Sequence, residues 1–242
     1  MSATAAELAA IYLEEGGSRA PNVRPKDAAT LIIARRDGDA VRVLMGERHQ
    51  RHVFQPGKLV FPGGRLDPGD QRLTLAHDLE PHVLARASAG STSSRARGLA
   101  LAAIRETFEE TGVLVGEENV SVPRTRSQSW RRFFSHGVVP RLDALDLIGR
   151  AITPPGRPRR YDTRFFMADA SAIARTLDAE HRSDELLDPV WLTLAEARGA
   201  KIMGITRLML DEVEARLAGG LDPARAAPFF SLRRGKPHVS WL

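Results

Sequence analysis

The chain has 242 residues, 43% hydrophobic and 27% charged, which fits one large globular domain or one domain with sizeable insertions. Lys and Arg outnumber Asp and Glu by 35 to 30, and the sequence pI near 10.2 suits an anionic partner such as a phosphate compound without identifying one. The arginines are spread along the chain rather than gathered in a tail, so nucleic acid is disfavoured as a partner. The absence of cysteine excludes disulfides, thiolate metal sites and a cysteine nucleophile, and fits a reducing cytoplasm.

The N-terminal stretch "MSATAAELAAIYLEEGG" lacks a basic leader and a long apolar core, so it reads as an extension (residues 1–26) rather than a signal peptide. No window is apolar enough for a membrane span. Next come two β-branched runs, "DAATLIIAR" and "AVRVLMGER", joined by "RDGD", whose Asp-Gly predicts a hairpin. "LVFPGGRLDPGD" reads as a short strand and a loop rich in Gly and Pro. Residues 71–98 are polar and weakly periodic, and "SAGSTSSRARG" reads as a mobile connection within an insertion.

"LALAAIRETFEETG" is the strongest helix of the sequence, with Gly112 placed for a left-handed C-cap. At about 100° per residue, Glu106, Glu109 and Glu110 fall within an arc of roughly 100°, opposite the stripe of Leu101, Ile104 and Phe108. Three grouped carboxylates repel one another, and a hard divalent cation such as Mg²⁺ relieves that repulsion. On the pattern alone, a solvated acidic face stays open beside a metal site.

The loop and helix together, "GGRLDPGD" followed by "RETFEETGV", resemble the box of the Nudix hydrolases, G-x5-E-x7-R-E-U-x-E-E-x-G-U, with U a bulky apolar residue. Gly64 takes the opening glycine, Asp70 the first acid, Arg105, Glu106, Glu109, Glu110 and Gly112 the later fixed positions, and Val113 the closing apolar one. Asp70 replaces a glutamate, leaving it to bind metal less directly or only to order the box loop that also holds Asp67. Thr107 stands where an apolar residue is usual, and residues 71–104 number 34 where the motif has seven. The split box is similar to the branch that includes peroxisomal-type coenzyme A diphosphatases. "FQPGKLVFPGG" and "ITPPGRPRRYDTRFFMA" resemble that branch's flanking segments.

The resemblance implies hydrolysis of a nucleoside diphosphate linked to another moiety, with Mg²⁺ or Mn²⁺ as cofactor. It gives Glu106, Glu109 and Glu110 to the metal, helped by the Gly63 or Gly64 carbonyl, and gives Arg105 the task of orienting the glutamates. Family members differ in the general base, so either Glu110 of the box or an acid of a later loop can serve. In "HRSDELLDPVWL" we nominate Glu185 as base or additional ligand, with Asp184 and Glu180 as rivals and a solvated loop acid as the plain reading.

If the hairpin packs as the resemblance implies, Arg48 and Arg51 would lie beside the phosphate site and bind an anionic substrate, with ordinary surface arginines as the plain reading. Arg164 in "DTRFF" alternates with apolar neighbours and would face out of its strand toward substrate. "RHQRH" is a poor zinc site, and Trp130, Phe133 and Phe134 in "SWRRFF" read as a buried patch ahead of a base-stacking surface. The expected architecture is α/β: a single Nudix domain over 1–242, an α/β/α sandwich with a helical insertion in the box. Its mixed sheet would use strands near 28–35, 41–47, 58–61, 113–120, 145–152, 162–169 and 189–193. The amphipathic "ITRLMLDEVEARLAGG" would cover the face opposite the box helix. The tail (residues 221–242) would pack back in cis or onto a second subunit, which allows a homodimer. Two further functions remain open: a non-catalytic nucleotide sensor, disfavoured by the full set of helix acids, and an RNA 5′-end or cap hydrolase, which lacks a second RNA-binding motif.

Overall fold

In the computed structural model the described residues are 23–49, 57–118, 120–178, 180, 182–183, 185–219, 222, 224–234 and 236–242. Arg51 and Asp184, both named above, lie outside them.

The predicted hairpin is β1 (Lys26–Asp37) and β2 (Ala40–Arg48), paired antiparallel around an Asp-Gly turn in which Gly38 takes a positive φ of 60°. Short strands β3 (Leu59–Val60) and β4 (Gly63–Arg65) pair with β2 and β1 respectively. The predicted strand at 113–120 breaks into β5 (Val113–Val115) and β6 (Glu117–Glu118). Both leave the main sheet and pair with β10 (Ile173–Thr176) and β7 (Val138–Val139). The remaining strands are β8 (Asp146–Ile152), β9 (Tyr161–Asp169), β11 (Leu186–Thr193), β12 (Pro228–Arg233) and β13 (Lys236–Trp241). The main sheet runs β11-β2-β1-β9-β8-β12-β13. The β1–β9 and β12–β8 pairs are parallel and the other pairs antiparallel, so the sheet is mixed as expected.

Helix α1 (Pro81–Ala87) is followed by the box helix α2 (Ser93–Thr111), by α3 (Gln128–Phe134), α4 (Leu194–Gly199) and α5 (Gly204–Ala218). Alternation along β1 divides the core between the two faces. Ala29, Leu31 and Ile33 pack with Leu101, Ile104 and Phe108 of α2, while Ile32 and Ala34 pack with Leu208, Met209 and Val213 of α5. The box helix and the predicted amphipathic helix therefore cover opposite faces. Trp130, Phe133 and Phe134 are buried beside Phe108, as predicted.

The expectation for the insertion is corrected. The stretch read as a mobile connection is ordered, because α2 begins at Ser93 with the Thr92 side chain accepting from the Arg95 N–H. Ahead of it, Leu79, Val83 and Ala87 recur at helical spacing and are buried against α2, with Pro81 opening α1. The tail packs back in cis, one of the two placements expected for it, and does so as the β12–β13 hairpin that extends the sheet beyond β8. Among the described residues no helix is long and apolar enough to cross a membrane.

Candidate functional site

Three local devices bring the box together. Gly112 ends α2 in the left-handed region at φ 73°, with its N–H donating to the Phe108 carbonyl. The β4 strand lies on β1 so that Thr30 pairs with Gly63 and Ala29 with Gly64. Gly64 then sits against the Glu106 carboxylate so closely that a Cβ there would fall 2.3 Å from the carboxyl carbon and push that carboxylate out of place.

Arg105 is the hub. Its Nε and Nη2 donate to the two oxygens of Asp70 at 2.9 and 3.0 Å. Its Nη1 donates to Glu106 Oε1 at 2.8 Å and to Glu109 Oε2 at 2.9 Å, and Nη2 also reaches the Arg65 carbonyl. Desolvation alone would pull the guanidinium pKa down, but the Asp70 hydrogen bonds and the charges of Glu106, Asp70 and Glu109 hold it well above the usual range.

Asp70 is fully buried and also accepts from Trp130 Nε1 at 2.9 Å and from the Asp67 N–H at 2.8 Å. Every one of these bonds fixes protein to protein, so the shorter acid orders the loop and braces Arg105. Asp67 turns the same loop, its Oδ1 accepting from the Gly69 N–H. Thr107 is buried where an apolar residue was expected, its hydroxyl satisfied by the Ala103 carbonyl.

Glu110 is 3% exposed and accepts from the Gly63 N–H at 2.9 Å, so the contact at Gly63 is through its donor rather than its carbonyl. Burial pushes the Glu110 carboxyl well above the ordinary range, aided by repulsion from Glu106 and Glu185 and opposed by the Gly63 bond and Arg48. Burial likewise lifts Glu106 to about 7, against the pull of Arg105. The fold thus carries Glu185, far along the chain, into the electrostatic field of the box acids. Among the described residues, no three His, Asp or Glu side chains converge as a ready ligand set, and Arg105 and Gly63 engage oxygens of Glu106, Glu109 and Glu110. In kind, the donors fit a hard divalent cation: Glu106 and Glu110 repel each other, and burial disfavours their charged forms more than Arg105 and Arg48 favour them.

Glu106, Arg105, Glu185, Arg48, Gly63 and Gly64 line one end of a cleft of about 1080 Å³. Its floor is the α5-side face of the sheet, with Ala28, Thr30, Thr163, Phe165 and Ala151 uppermost, and α5 enters its wall through Met203, Ile205 and Thr206. Arg164 is corrected: it is 1% exposed and points to the opposite face, 3.2 Å from Asp162 and beneath α1, whose Ala87 carbonyl its Nε reaches at 3.5 Å. Strand alternation did turn it away from its apolar neighbours, but the insertion covers that face.

Among solved structures, the Nudix hydrolase from Alicyclobacillus acidocaldarius superposes with a TM-score of 0.61 at 24% identity, over 84% of this chain and 99% of that one. The fold is the Nudix fold. Looser likenesses are the Nudix domain of Shewanella oneidensis NrtR, solved with ADP ribose, at TM-score 0.46 and 13% identity over 81% of this chain and 90% of that one. The Ap4A hydrolase of C. elegans gives 0.41 at 17%, over 80% and 100%. No protein-family model matches the chain.

Sequence reasoning missed the cleft's second wall. Arg157 and Arg159, in the β8–β9 loop, line it together with Arg24 and Lys26. The signal available was the run "PGRPRR", three arginines interleaved with proline at a strand junction.

Proposed function

We propose that the protein hydrolyses the diphosphate of a nucleoside diphosphate linked to another moiety, in the presence of Mg²⁺ or Mn²⁺, with coenzyme A or a derivative as the first substrate to test. The observation that carries this reading is the meeting of Glu106 and Glu185 at one end of a cation-rimmed cleft, with the buried Glu110 within their electrostatic reach and Arg105 bracing Glu106. The Nudix fold supports it. The split box and its flanking segments support the coenzyme A branch.

Glu106, Glu109 and Glu110, with the backbone at Gly63 or Gly64, would hold the cation, which when bound neutralises diphosphate charge and lowers the pKa of an attacking water. Arg105 fixes Glu106 and Glu109 by an Nη1 shared between them, so neither carboxylate must be ordered when substrate arrives. Arg48, close enough to Glu110 to favour its charged form, faces the phosphates from β2. Glu185 takes the proton of the attacking water as its oxygen bonds to phosphorus and the bridging P–O bond breaks, releasing two phosphate esters. Glu110 is its rival as base; Glu185 lines the acid end of the cleft, and Glu110 lies buried beside it.

The test is product analysis after incubation with Mg²⁺ and coenzyme A, NADH, ADP-ribose, diadenosine polyphosphates or capped RNA. Release of 3′,5′-ADP and 4′-phosphopantetheine, lost in Glu109→Gln and Glu110→Gln, is expected. Cleavage of another member replaces the substrate, and cleavage of none removes the hydrolase reading.

A further inference from the structure

Many of the described arginines pair with acids. Arg97 meets Asp78, Arg150 meets Asp162, and Arg198 meets Glu214, each within 2.8 Å. The outer half of the cleft gathers five cations without such a partner into one concave surface. Among the described residues, the side chains of Arg24, Lys26, Arg65, Arg157 and Arg159 make no hydrogen bond or ion pair, and all five line the same cavity. The acids nearby are already engaged: Asp27 pairs with Arg95, and Asp67 with the Gly69 N–H. Unpaired cations facing one concave surface repel each other and raise the local potential, an arrangement that an anionic ligand relieves.

Their position is fixed by the sheet. Lys26 pairs with Tyr161 across β1 and β9, and Thr30 pairs with Gly63 at the acid end. Four residues of strand separate the two, roughly 13 Å at about 3.3 Å per residue. The loop bearing Arg157 and Arg159 is itself tied down: the Arg160 Nε donates to the Thr153 carbonyl at 2.9 Å and its Nη1 to the Val23 carbonyl at 2.8 Å. That second bond draws the segment of Arg24 to the same rim. Arg160 therefore acts as a strut, and Arg157 and Arg159 are left facing the cavity.

We infer that the outer half of the cleft is a subsite for a second phosphate, a phosphomonoester carried on the nucleoside in addition to the diphosphate to be cleaved. Arg157 and Arg159 form its core, with Arg24, Lys26 and Arg65 supplying the surrounding field. This inference rests on the hydrolase reading for its placing of the diphosphate, but not for its test. A span of this length, shortened by arginine side chains from one end, accommodates a ribose between two phosphate groups. Guanidinium groups suit the role because they hold phosphate oxygens through paired N–H donors.

The test is calorimetric binding of adenosine 3′,5′-bisphosphate and of 5′-AMP to the full chain. The same titrations are run on Arg157→Ala/Arg159→Ala, and on Arg124→Ala/Arg131→Ala as a control that removes two exposed arginines elsewhere. Wild type and control are expected to favour the bisphosphate by about tenfold or more, and the loop variant to lose that preference while keeping its circular dichroism spectrum. Equal affinity for the two ligands in wild type, or a preference that survives in the loop variant, overturns the subsite. Diphosphate hydrolysis without any such preference leaves the hydrolase standing and removes the subsite. Bisphosphate preference in a protein that hydrolyses nothing does the reverse.

Discussion

Removing divalent cations should make folding stability fall as pH rises through neutrality, opposite to the usual acid-side loss. Glu106 has its folded pKa lifted by burial from 4.5 to about 7. A group raised in this way contributes its full stability below the unfolded value, and that contribution disappears as pH climbs through the folded value. Over the gap from 4.5 to about 7, at about 1.4 kcal/mol per pH unit, Glu106 alone accounts for about 3 kcal/mol. Glu110 is raised in the same direction by its own burial and adds to the loss at higher pH.

The window is free of the ordinary acid-side contributions. Asp78 and Asp143 are lowered from 3.8 by hydrogen bonds from Arg97 and Arg141, so their stabilisation is lost only as pH falls below that range. Urea denaturation in chelator, followed by circular dichroism at half-unit steps from pH 5 to 7.5, measures the slope. In Glu106→Gln the decline should shrink, since the amide carries no charge to desolvate. Saturating Mg²⁺ should flatten it in wild type and leave Glu106→Gln/Glu110→Gln unmoved. A cation-free wild type whose stability is level or rising across that window would refute the claim that burial outweighs the pull of Arg105 and Arg48 on these carboxylates.

Arg105→Ala should cost about 3–5 kcal/mol in urea unfolding, because it strands the fully buried Asp70 carboxylate, and Arg105→Lys should recover little since one ammonium cannot replace the fork. Restoring the box glutamate with Asp70→Glu should destabilise by about 1–3 kcal/mol, as the extra methylene enters a site with no exposed surface and displaces bonds to Arg105, Trp130 and Asp67. A stabilising result in thermal melts would show that the loop, not the acid, sets the fit. Trp130→Phe keeps the ring but removes one donor to Asp70, with an expected loss of about 1–3 kcal/mol in the same assay.

Much of the site was legible because its parts are local. Gly112 and the acids of α2 share one helix, and the apolar stripe of Leu101, Ile104 and Phe108 states which face is buried. The opposite face reads as solvated only if nothing packs on it. Here the Gly63–Asp70 loop covers it, burying Arg105 and Glu110, and helical periodicity has no means of announcing a loop from elsewhere in the chain. Arg164 failed for the same reason in reverse, since α1 lies over a strand face that alternation alone leaves open. The β12–β13 hairpin was hidden because "PFFSLRRGKPHVSW" contains two prolines and a basic turn, features that argue against a strand until β8 offers an edge to pair with.

The split box raises a physical difficulty that the insertion itself resolves. Asp70 must meet Arg105 across 34 intervening residues rather than seven, which as a flexible loop would cost about 1.4 kcal/mol more in closure entropy. The insertion does not behave as a flexible loop. Val83 is buried against α2, worth about 1.5–3 kcal/mol on its own, and Leu79 and Ala87 extend the contact. Arg86 reaches Asp146 at the start of β8, where Arg216 of α5 arrives from the other side, and Arg150 of β8 donates to the Ala89 carbonyl. The excursion is thus fastened to the sheet before α2 begins, and the chain re-enters the box from an ordered N-cap at Thr92. Packing of this size exceeds the closure penalty. A long insertion between the two halves of the box is therefore compatible with a pair as tightly held as Asp70 and Arg105.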